Sequence, residues 1–166
     1  MKSFHGWRIV AAAAALQCLQ AGLLHSAFGA YVAVLVEERG WSKTALSGAA
    51  ALQSLEAAVL GPLLGWVIDR SGAKRMIIGG IIVFALGFMV LSRIETIGGF
   101  YAAIVIIAIG ASFSGYFPLT VAVVQWFERK RARALSAMGF GLAAGGLAVP
   151  AVAWALSSSS WRWTWA

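Results

Sequence analysis

The chain alternates between long apolar stretches and short polar turns. Ile9 to Val36 carries no formal charge. Thr44 to Ile68 holds a single acid, Glu56. Met76 to Ser92 is uncharged, and apolar runs follow from about Gly98 to Phe127 and from Ala134 to Leu156. A helix that crosses a bilayer needs about 20 mostly apolar residues. The pattern therefore predicts an all-α integral membrane protein with five complete transmembrane helices. Trp161-Arg162-Trp163-Thr164-Trp165 reads as an aromatic belt where a sixth begins, near residue 161. Residues 1–166 form one transmembrane domain in this reading.

Polar positions recur inside the runs. Gln17, Gln20 and Tyr31 fall within about 60° of one another on a regular helix, and Ser112, Tyr116 and Thr120 within about 80°. A polar stripe in lipid is best turned toward a wet cavity, which makes these six candidates for facing a substrate. Interhelical hydrogen bonds, or bonds from a hydroxyl to its own helix backbone, are the plainer account. Glu56 is the one acid deep in a span, a costly position that points to function. Counted from the helix ends, Glu56 lies about 18 Å and His25 about 16 Å below the same membrane face. The two form a candidate proton-coupling pair, since burial and a charged imidazole pull the protonation of a carboxyl in opposite directions. The plainer account is a neutral Glu56 hydrogen-bonded to a neighbouring helix.

Glycine and proline mark the same spans. Gly61-Pro62, Gly115 with Pro118, and Gly145-Gly146 with Pro150 are hinge or packing positions. Gly141 and Gly145, like Gly61 and Gly65, are spaced for close helix contact.

Composition agrees with the pattern. Of 166 residues, 61% are hydrophobic and 11% charged, with a mean hydropathy of +0.84. A soluble domain is about a quarter charged. The net charge of +7 sits in short loops between apolar runs, which suits lipid headgroups rather than nucleic acid. Cys18, the single cysteine, excludes an internal disulfide and reads as a small apolar residue. The first run is too long for a signal-peptide core and reads as a retained helix. Neither a nucleophile–base pair nor a metal-ligand cluster is spaced for chemistry, so no enzyme, metal site or cofactor is expected.

Basic residues set an orientation. With the N-terminus inside, nine lysines and arginines fall on the inner segments: Lys2, Arg8, Arg70, Lys74, Arg75, Arg129, Lys130, Arg131 and Arg133. Four fall outside: Arg39, Lys43, Arg93 and Arg162. The bias favours a cytoplasmic N-terminus.

One inner turn concentrates charge, Gly65-Trp66-Val67-Ile68-Asp69-Arg70-Ser71-Gly72-Ala73-Lys74-Arg75. Gly65 and Asp69 share a helix face, and Gly72 permits the positive φ of a tight turn. The pattern resembles the cytoplasmic loop signature of the major facilitator superfamily, matched at Gly65, Asp69, Arg70, Gly72, Lys74 and Arg75. Gln125-Trp126-Phe127 before a basic loop, Gly40-Trp41-Ser42 and Trp161-Arg162 resemble the monocarboxylate and oxalate/formate porters of that family. The resemblance covers the N-terminal six-helix half of such a porter.

It implies a secondary transporter of small organic solutes working by alternating access, with monocarboxylate-like anions and protons as cargo. The loop would then be part of a cytoplasmic gate whose Asp69 binds and releases the missing C-terminal half. A bacterial inner membrane is the expected location. A non-transporting membrane scaffold is the alternative, and it leaves the loop signature unexplained.

Overall fold

The computed structural model describes residues 6–26, 29, 32, 35–37 and 40–147, with the backbone alone at 25 and 26. All regular structure among them is helical. Helix α1 spans Gly6–Gln20 and runs into a π-helical turn, Ala21–Ser26. Then come α2, Lys43–Ser71; α3, Ala73–Leu91; α4, Ile97–Ser114; α5, Tyr116–Trp126; and α6, Arg131–Gly146.

Local chemistry sets the boundaries. Ser42 caps α2, its hydroxyl accepting from the Ala45 N–H at 3.1 Å. Thr96 caps α4 in the same way, accepting from the Gly99 N–H at 3.1 Å. Each cap satisfies a donor that a helix start leaves orphaned. Gly72 turns the chain between α2 and α3 at φ 79°, with its N–H donating to the Ile68 carbonyl at 2.9 Å. That backbone conformation is the one expected of the charged turn.

The fourth apolar run departs from expectation. It is not one helix from Gly98 to Phe127 but two, α4 and α5, broken at Gly115, whose backbone is extended at φ −86°, ψ −155°. The cause is local. Pro118 has no N–H to donate back to Ser114, so the ladder fails there. Gly115 fits the break, because a Cβ on it would press on the Ala111 carbonyl oxygen.

Among the described residues, four stretches are long and apolar enough to cross a membrane: Gly6–Leu24, Lys43–Ser71, Ala73–Leu91 and Ile97–Trp126. The fifth expected span is helical as far as Gly146 and described as far as Leu147. Its continuation, and the sixth near residue 161, lie outside the described residues.

Glycines decide how the helices meet. Antiparallel α3 and α4 touch backbone to backbone: a Cβ on Gly80 would lie 2.6 Å from the Ser114 nitrogen, and one on Gly87 2.5 Å from the Ile107 side chain. Gly110 meets the Phe84 backbone from the other side. Parallel α1 and α6 meet at Gly141, against the Ala14 carbonyl, and at Gly145, 2.6 Å from the Cys18 carbonyl. Lipid tails are as apolar as leucine, so helices in a bilayer associate by such close packing rather than by hydrophobic burial. Phe84, Phe88, Phe100, Ile104 and Ile107 fill one core between α3 and α4, while Val10, Ala13, Val123, Ala134 and Met138 fill another around α1, α5 and α6.

Candidate functional site

A cavity of about 260 Å³ opens where α1, α2, α4 and α5 converge. Gln17 and Gln20 reach it from α1, Gln53 and Glu56 from α2, Ser112 from α4 and Tyr116 from α5. Two irregular backbones border it, the π-helical turn at Ala21 and Leu24 and the break at Gly115. π-Bulges and discontinuous helices free the backbone where a helix lines a cavity.

The polar groups divide into used and unused. Gln20 and Ser114 are both buried; the Gln20 amide donates to the Ser114 hydroxyl at 2.7 Å, and that hydroxyl donates to the Gly110 carbonyl at 2.7 Å. This relay pins α1 to α4 beside the Gly115 break. The Ser112 hydroxyl donates to Glu56 Oε2 at a long 3.4 Å. Glu56 Oε1, Gln17 Nε2 and Gln53 Nε2 have no hydrogen-bond partner among the described residues, although each atom is shielded from bulk solvent. A buried polar atom left unpaired is costly, and at a cavity wall it is offered to a guest. The guest can be a hydrogen-bonding solute or, at the carboxyl, a proton.

The residues expected from the sequence divide accordingly. Gln17, Gln20, Ser112, Tyr116 and Glu56 come together at one cavity. Thr120 does not line it; its hydroxyl is buried with no partner among the described residues, one turn past the break. Tyr31 and the His25 side chain lie outside the described residues. The described hydroxyl partner of Glu56 is Ser112. Gln53 was not anticipated, although it stands three residues before Glu56 and therefore shares its face.

The charged turn stands apart, about 20 Å along α2 from Glu56 to Asp69 at the usual helical rise. Asp69, Arg70, Gly72, Lys74 and Arg75 are exposed. The Arg70 guanidinium stacks 5.6 Å over the Trp66 ring, and Asp69 has no hydrogen bond or ion pair with any described residue. A Cβ on Gly65 would meet nothing within 4 Å, so the close helix contact expected there is not made by a described residue. The physical reason is that α2 lies at the edge of the bundle. Only 11% of its most apolar stretch is buried, and Leu55 and Val59 are 62% and 67% exposed.

The sequence pattern described as Major Facilitator Superfamily matches residues 10–166. The chain belongs to this superfamily. Membership points to a transporter rather than an enzyme, and to an integral membrane protein. It is 35% identical over 92 residues to the "Fujikurins efflux protein" of Gibberella fujikuroi, covering 55% of this chain and 20% of that one. It is 33% identical over 113 residues to "MFS transporter asaE" of Aspergillus flavus, 66% of this chain and 25% of the relative. With "MFS-type transporter pynF" of Aspergillus niger the identity is 25% over 147 residues, 87% of this chain and 34% of the relative. The chain therefore spans at most about a third of these relatives' lengths. No solved structure matches. These relatives are fungal, so the expected bacterial inner membrane gains no support from them.

Proposed function

We propose that the chain is the N-terminal half of a secondary transporter that moves a small organic solute through the Gln17–Gln53–Glu56 cavity by alternating access. The observation that carries this is the set of unpaired polar atoms at that cavity in a superfamily transporter. Two amide N–H groups suit the carboxylate of a small organic acid. Glu56 would be neutral when that anion binds, since two like charges in one cavity repel. Solute and proton would then travel together, as the resemblance to monocarboxylate porters implies. A symporter runs with the net gradient, so export, the direction in the Gibberella relative's name, needs only a higher solute concentration inside.

The test is simultaneous measurement of solute and proton flux in vesicles holding the complete transporter. Proton movement in a fixed ratio to solute supports the reading. Solute flux with no proton flux removes the coupling, and the absence of any solute flux favours the scaffold alternative.

The exposed, unpaired Asp69 suits a contact with the missing half, made when the cytoplasmic side is closed and broken when it opens. Asp69→Asn should insert normally and slow transport by the complete protein by about tenfold, the loss of roughly 1.4 kcal/mol from one charged contact. Normal flux would exclude the gate role. The N-in orientation is tested separately. Cysteines at position 71 and at position 96 should react with impermeant reagents added on opposite sides, the former only from the cytoplasm; labelling from one side would defeat it.

A further inference from the structure

A second concavity lies at the other end of the bundle from Thr96, where α1 begins and α5 ends. Trp7, Gln125, Trp126, Phe127, Glu128, Arg129 and Lys130 line its space of about 560 Å³. Its wall is built rather than accidental. Trp7 meets the buried Phe127 edge-on at 5.4 Å, which fixes the start of α1 against the end of α5. Arg131 is committed elsewhere, its Nε donating to the Phe127 carbonyl at 2.7 Å. Arg129 and Lys130 are not: both are exposed, with no ion pair to any described residue. Trp7 and Trp126 keep 43% and 51% of their surface open on either side.

We propose that this pocket binds the phosphodiester of one anionic phospholipid. Arg129, Lys130 and Glu128 leave it a net charge of one positive unit, the complement of a single phosphodiester. Arginine binds phosphate through two parallel N–H groups, and lysine as a point charge. Open tryptophans beside them mark headgroup depth, where indole rings settle in a bilayer. A basic pocket between helices at that depth is a lipid site by the same electrostatics that draw polybasic segments to membranes. The pocket is well away from the Glu56 cavity, so this site stands whether or not the transport reading does.

The experiment is native mass spectrometry of the 166-residue chain in detergent micelles. Phosphatidylglycerol and phosphatidylcholine are added separately at equal concentration. One retained phosphatidylglycerol is expected. Arg129→Ala with Lys130→Ala should weaken retention by at least about tenfold. Glu128→Gln should tighten it, a gain that no folding defect can produce. Arg93→Ala, at the opposite end, should change nothing. Equal retention of phosphatidylcholine, or phosphatidylglycerol retention unmoved by the double substitution, would overturn the proposal. Displacement by inorganic phosphate at matching concentration would do so too, by making the pocket an ion site.

Discussion

Glu56→Gln is expected to abolish proton-driven accumulation while leaving solute exchange nearly intact. Glutamine keeps the length of the side chain and still offers an N–H to a carboxylate, so the cavity should continue to bind solute. What it loses is a proton that can leave. In vesicles holding the complete transporter, a pH step of one unit is worth about 1.4 kcal/mol per proton. One proton per monoanion then supports up to about tenfold accumulation, in the more alkaline compartment, because solute and proton leave the acidic side together. The variant should reach equal concentrations on both sides. Exchange of labelled for unlabelled solute, which needs no net proton movement, should stay within about threefold of wild type, under 1 kcal/mol. Accumulation that survives in Glu56→Gln would leave the carboxyl a structural group held by Ser112. Loss of exchange together with accumulation would place Glu56 in the packing of α2 against α4.

The second large effect concerns adjacent glycines of α3 that meet different surroundings. A Cβ on Gly80 would lie 2.6 Å from the Ser114 nitrogen and 2.7 Å from the Phe113 carbonyl carbon. Both are backbone atoms, so relief requires the two helices to separate. Overpacking of this kind costs about 1–3 kcal/mol. A Cβ on Gly79 would meet nothing within 4 Å, and alanine is the better helix former by about 0.8–1 kcal/mol in soluble peptides. Gly80→Ala should therefore lower the thermal midpoint of the purified chain in detergent, and Gly79→Ala should hold or raise it. Equal shifts in the two variants would mean that α3 and α4 do not pack backbone to backbone.

The same pair of glycines shows where sequence reading stops. Their neighbours along the chain are apolar on both sides, and each alone reads as a glycine in a spanning helix. Which one faces α4 depends on the rotation of α3 in the bundle. The cavity is similar. Gln17, Gln20, Glu56, Ser112 and Tyr116 stood out one by one, because a polar residue in an apolar run is costly in lipid. Gln53 escaped notice although it shares the Glu56 face. The pattern also missed the helix break. Gly115 and Pro118 were visible as irregular residues, yet a Gly–Pro pair in a membrane helix can kink it, pack it or split it, and only the neighbours determine which.

The sequence by itself determined that the described residues fold as apolar helices and that the chain turns at Gly72. These depend on interactions within a few residues: an apolar run long enough for a bilayer, a hydroxyl three residues before a free N–H, a glycine where φ must be positive. It also determined the superfamily, because the six residues of the charged turn occupy fixed spacings within one short segment. The tertiary structure alone decided that residues 17, 53, 56 and 112 share a cavity, that Gln20 is tied to Ser114 while Gln17 Nε2 finds no partner among the described residues, and that Thr120 does not line the cavity. Those outcomes depend on how four helices are rotated and how closely their glycines let them approach. Such approach is set by contacts between residues far apart in the chain, 94 positions in the Gln20–Ser114 bond, and no local pattern encodes it.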